Sequence, residues 1–89
     1  MGGKRRSLVE GTVYFFAIKR PRERSAVRDA IETSIVTSKC GRIVGSGVSL
    51  FDAETYCIEF KTSDPVQASA SIERVCAQRN ICEYEIVCD

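Results

Sequence analysis

Eighty-nine residues with a formal net charge of +1 specify one domain with a small core, since a chain of this size buries only roughly 60–65% of its unfolded surface. Hydrophobic residues at 44% and charged residues at 28% are ordinary for a globular protein, and no apolar run approaches the ~20 residues of a membrane span. Histidine is absent and no C-x-x-C occurs, which removes the usual proton shuttle near neutral pH and the common zinc and thioredoxin patterns.

Residues 1–7 hold two glycines and the cations Lys4, Arg5 and Arg6, and read as a disordered basic tail ahead of a single domain over 8–89. The basic start lacks the apolar stretch of a signal peptide. Gly2 invites myristoylation, but Arg6 stands where that motif needs Ser or Thr. A first strand is expected over Gly11–Lys19, rich in β-branched and aromatic residues on both faces. Val13, Phe15 and Ala17 are assigned to the core side, and Tyr14, Phe16 and Ile18 to the other. Pro21 ends the ladder. A helix follows from about Arg22 to Ser38, with Val27, Ala30, Ile31, Ser34 and Ile35 as its apolar stripe. Gly41 is its expected terminator.

The second strand runs from about Arg42 to Phe51, and its Gly45-Ser46-Gly47 predicts a bulge on an edge strand. Asp52-Ala53-Glu54 makes a hairpin connection to a third strand, Thr55–Thr62. There Tyr56, Ile58 and Phe60 alternate with Cys57, Glu59 and Lys61. In Asp64-Pro65-Val66-Gln67 the first residue is a good N-cap, proline fits the first helical position and Gln67 completes a capping box. The second helix buries Ala68, Ile72, Val75 and Cys76, and Asn80 suits its C-terminus. The last strand, Ile81–Cys88, sets Cys82, Tyr84, Ile86 and Cys88 against Glu83, Glu85 and Val87.

This order resembles the split βαβ or ferredoxin-like plait, an α+β sandwich of a four-stranded antiparallel sheet with two helices on one face. The opposite face would carry Cys57, Glu59, Lys61, Glu83, Glu85, Val87 and one aromatic row of the first strand. An apolar strip bordered by carboxylates marks an association surface. In length, element order and a glycine-bearing second strand, the chain from Gly11 to Cys88 is similar to the ACT-like group of plaits. That resemblance implies a ligand near the first strand–helix connection, where Lys19, Arg20, Arg22 and Arg24 could hold a carboxylate or phosphate at the helix N-terminus. A solvated turn accounts for the same charges.

The fold also includes the RNA-recognition motif, whose third strand carries stacking aromatics. Thr55 and Cys57 occupy those positions here, and Glu59, Glu83 and Glu85 would repel phosphate. The sequence therefore argues against nucleic acid beyond nonspecific contact through the basic tail. Residues 1–28 carry eight basic and two acidic side chains, and residues 29–89 five and ten. That split suits a solubilising tail, an anion surface, or opposite-sign pairing between two copies.

Five cysteines with no sign of an oxidising compartment read as reduced, mostly packed thiols in a cytoplasmic protein. Cys57 is a nucleophile candidate without a base, and Lys61 is the one nearby cation to lower its pKa. No catalytic residue, metal or cofactor is assigned. The expected function is a noncatalytic interaction or regulatory module. It would form a homodimer through Tyr14, Phe16, Ile18 and Val87 or through the edge of the second strand. The alternative is a sensor that holds a small anionic ligand at Lys19, Arg20, Arg22 and Arg24.

Overall fold

Period-two alternation and two proline-started amphipathic segments sort this chain into six elements. They are β1 (Val9–Phe15), α1 (Pro21–Thr37), β2 (Gly41–Val48), β3 (Tyr56–Thr62), α2 (Pro65–Gln78) and β4 (Tyr84–Cys88). The structure, a computed structural model, describes residues 8–49, 52 and 54–89. The expected tail at 1–7, the expected end of the second strand at Phe51 and Ala53 of the expected hairpin lie outside the described residues. The sheet order is β2-β3-β1-β4 with every pair antiparallel. With both helices on one face, the topology is that of a ferredoxin-like plait.

The core lies between the helices and the inward row of each strand. Val13, Phe15, Ile58 and Phe60 of the sheet meet Val27, Ile31 and Ile35 of α1 and Ala68, Ile72 and Cys76 of α2. Phe15 stands between Tyr56 and Tyr84, with ring centroids 6.4 and 6.3 Å away. Each large apolar side chain buried in this way contributes about 1.5–3 kcal/mol, which the entropy of ordering the chain largely offsets.

β1 is shorter than its apolar run. Phe16 N–H still reaches the Glu83 carbonyl at 3.2 Å, but the backbone bends at Phe16 and Ala17 and the alternation breaks there. Ile18 therefore turns into the core, only 3% exposed, while Ala17 is exposed. The two sides expected for Ala17 and Ile18 are thus exchanged. Burying isoleucine in place of alanine favours this by about 2 kcal/mol, at about 0.8 kcal/mol per methylene.

Both helices end in the same way. Lys39 and Asn80 take positive φ, 57° and 59°. Lys39 N–H donates to Val36 O and Cys40 N–H to Ile35 O; Asn80 N–H donates to Ala77 O and Ile81 N–H to Cys76 O. These are Schellman closures. The stop of α1 is therefore Lys39, not Gly41, which is the first residue of β2. At α2 the Asp64 carboxylate accepts from Gln67 N–H at 3.1 Å, with Pro65 at the first position. Thr62 joins the two halves: its buried hydroxyl donates to Cys40 O and accepts from Asp64 N–H.

β2 is an edge strand with the expected irregularity. Ile43 pairs with Phe60 and Gly45 with Glu59, so Val44 is the extra residue of a bulge.

Candidate functional site

The face away from the helices is built from alternate residues of all four strands. Register places Arg42, Lys61 and Glu10 side by side, and Asp89 N–H donates to Glu10 O at 2.9 Å, adding Asp89 to the end of that row. The next row is Gly45, Glu59, Thr12 and Val87, and the third is Gly47, Cys57, Tyr14 and Glu85. The bulge delivers Val44 beside the second row, where it lines a shallow cavity of about 240 Å³ together with Glu10, Thr12, Tyr14, Glu59 and Val87. Phe16 N–H donates to Glu83 O, which continues the β1–β4 register by one pair, so Phe16 follows Tyr14 on the same side and the alternation is lost only after it.

Three large apolar side chains of this face are open to solvent: Phe16 at 45%, Val44 at 48% and Val87 at 43%. Carboxylates border them. Two small features keep the surface low. Gly45 has no side chain, and the Glu59 carboxylate lies over it. Gly47 has open space where a Cβ would stand. Lys61 Nζ is 3.9 Å from Glu10 Oε2, an exposed pair across neighbouring strands that contributes little to stability by itself.

Of the residues expected on this face, Tyr14, Phe16 and Val87 lie there, whereas Ile18 belongs to the core. The residue pattern alone does not mark Val44, Arg42 or Glu10 as parts of it. The glycines around residue 45 signalled a bulge, but its position, which decides where Val44 points, depends on pairing with β3.

In the basic connection between β1 and α1, Lys19 and Arg24 are held by other groups. Lys19 Nζ pairs with Glu54 Oε1 at 2.9 Å, and that partner raises its pKa. Glu54 belongs to a turn in which the Asp52 carboxylate accepts from Glu54 N–H and the Thr55 hydroxyl, which holds the Asp52 carboxyl below its ordinary range. Arg24 Nε donates to Ile18 O at 2.8 Å, and its guanidinium lies 5.6 Å from the centre of the Tyr56 ring. Arg24 therefore braces the bend that buries Ile18. Arg20 and Arg22 are exposed. Arg20 is the N-cap of α1 and makes no side-chain cap to the first turn.

Cys57 is not activated. Burial pushes its thiol pKa up, and Glu59 adds to the rise; the lowering expected from Lys61 does not occur. The thiol form prevails near neutral pH, the opposite of what a cysteine nucleophile needs. Cys40 and Cys76 are buried and Cys82 is exposed, and all five cysteines are free thiols. Among the described residues no group of three or more Cys, Asp and Glu is arranged to hold a metal ion. No helix of the described chain is long and apolar enough to cross a membrane.

No family model, curated protein or solved structure matches the chain.

Proposed function

We propose that this protein is a noncatalytic interaction module that self-associates through the open face of its sheet. The observation that carries this reading is the exposure of Phe16, Val44 and Val87 on the face opposite the helices. Isolated apolar residues on a surface need no explanation, but a contiguous strip bounded by carboxylates favours a partner surface. The edge of β2 is contiguous with it through Val44.

Light scattering across a concentration series tests the proposal. A dimer is expected for the natural sequence, and Phe16→Asp or Val87→Asp should yield a monomer that is still folded by circular dichroism. A dimer that survives both substitutions would overturn the reading.

A second reading rests on a separate observation. The first turn of α1 receives no side-chain cap from Arg20, and the guanidinium groups of Arg20 and Arg22 flank it in solvent. A helix start of this kind favours a carboxylate or phosphate. Lys19 and Arg24, engaged by Glu54 and by Ile18 and Tyr56, would support the loop in that role and not contact the anion. Inorganic phosphate should then raise the melting temperature, and Arg20→Ala with Arg22→Ala should abolish the gain.

A further inference from the structure

The open face has a charge pattern that selects one arrangement of two copies. We infer that the partner is a second copy stacked face to face, on a two-fold axis running parallel to β1 and β3, so that Lys61 meets the partner's Glu10 and Arg42 meets the partner's Asp89. This inference rests on the self-association proposed above and adds its geometry.

The argument starts from the row Arg42, Lys61, Glu10, Asp89. Its two cations lie on the β2–β3 half of the sheet and its two anions on the β1–β4 half. Two sheets that stack with aligned strands keep them within about 30° of each other. An axis parallel to the strands sets β2 over β4 of the other copy and β3 over β1. The cationic half then covers the anionic half twice, and around the axis Lys61, Glu10 and their counterparts form a ring of alternating charge. In the second row Val44 meets the partner's Val87, on both sides of the axis. In the third row Glu85 extends over the partner's Gly47, which offers no side chain, and Tyr14 covers the partner's Cys57.

Other axes do worse. An axis across the strands lays β4 on itself and brings its carboxylates Glu85 and Asp89 toward the same column. A diagonal axis, which crosses the strands at right angles, brings either Asp89 or Arg42 onto its own copy. Like charges placed opposite one another cost several kcal/mol. Glu59 is an exposed carboxylate beside the chosen axis. It leans outward, with Oε1 over Gly45 on the β2 side, which separates the two Glu59 carboxylates.

Four strands about 4.8 Å apart, with side chains on this face about every 7 Å, present roughly 500 Å² per protomer. That is at the small end for a stable interface, so association should depend on concentration and weaken with salt.

Sedimentation equilibrium of the full chain decides the matter. Lys61→Glu and Glu10→Lys should each weaken the dimer about tenfold or more, since each puts like charges together at two symmetric places. Mixed in equal amounts, the two variants should form a heterodimer, because both crossed pairs are then restored. At concentrations where the natural chain is monomeric, melting temperatures of both should stay near that of the natural sequence, as the exposed pair within one protomer contributes little. If both variants dimerise normally while Phe16→Asp or Val87→Asp gives monomer, the aligned axis is wrong and the open-face proposal stands. A natural chain that is monomeric at every concentration overturns both. Deleting residues 1–7 should leave the dimer intact; its loss would make the basic segment, not the Lys61 and Arg42 pairs, the partner of the carboxylates, and would overturn the inference.

Discussion

The carboxylate of Glu59 lies across Gly45, with Oε1 3.2 Å from the point where a Cβ on that glycine would stand. The neighbour is the far end of a flexible side chain, so Gly45→Ala should displace Glu59 and leave stability within about 0.5 kcal/mol of the natural protein, the gain from removing a strand glycine offsetting the shift. The displaced carboxylate should nonetheless weaken self-association several-fold. Gly41→Ala is a different case, because its Cβ would collide with the backbone carbonyl of Lys61 in the paired strand. Backbone cannot swing aside, and about 1–3 kcal/mol should be lost. Urea titrations of the two variants make the comparison.

Lys39 closes α1 in a left-handed conformation that costs a side-chain-bearing residue about 1–2 kcal/mol. Lys39→Gly should raise stability by roughly 0.5–1 kcal/mol after the greater unfolded-state entropy of glycine is counted. Thermal unfolding followed by circular dichroism would register this as a higher melting temperature. A lower one would mean that the Lys39 side chain supports the turn in some other way.

Thr62 ties the start of β2 to the start of α2. In Thr62→Val the shape is kept and the hydroxyl lost. Cys40 O would retain Ser63 N–H at 2.9 Å, but Asp64 N–H would lose its acceptor. Asp64 is exposed, so water can replace part of that bond, and about 0.5–1.5 kcal/mol should be lost. Thr62→Ser, which keeps the hydroxyl, should lose less in the same denaturant titration.

Alkaline pH should destabilise the fold. Burial, with a smaller contribution from Glu73, pushes the Cys76 thiol up to about 11 from an ordinary 9.0. The unfolded chain therefore releases this proton first. Stability present below pH 9.0 should fall progressively up to about pH 11, where the folded form also ionises. Cys57 and Tyr84 are raised as well and act in the same direction. Melting temperatures from pH 8 to 11 should decline, and less steeply in Cys76→Ala. Alkylation in the native state should label exposed Cys82 before buried Cys40 and Cys76.

The order of the six elements, the capped start of α2 at Asp64, the turn residue Asn80 and the helical stripes around Ile31 and Ile72 are legible in the residue pattern alone, because they follow from local dihedral preference and from periods of two and 3.6. That pattern also implies an irregular β2. Packing and pairing set the rest: Ile18 turns inward, Lys39 and not Gly41 stops α1, Val44 is the bulged residue, and Arg42, Lys61, Glu10 and Asp89 share one row. Each of these depends on strand register and on competition for core volume, which link residues distant in the chain. No local pattern encodes which residue of β2 lies opposite which residue of β3, and the charge arrangement of the open face follows from that pairing.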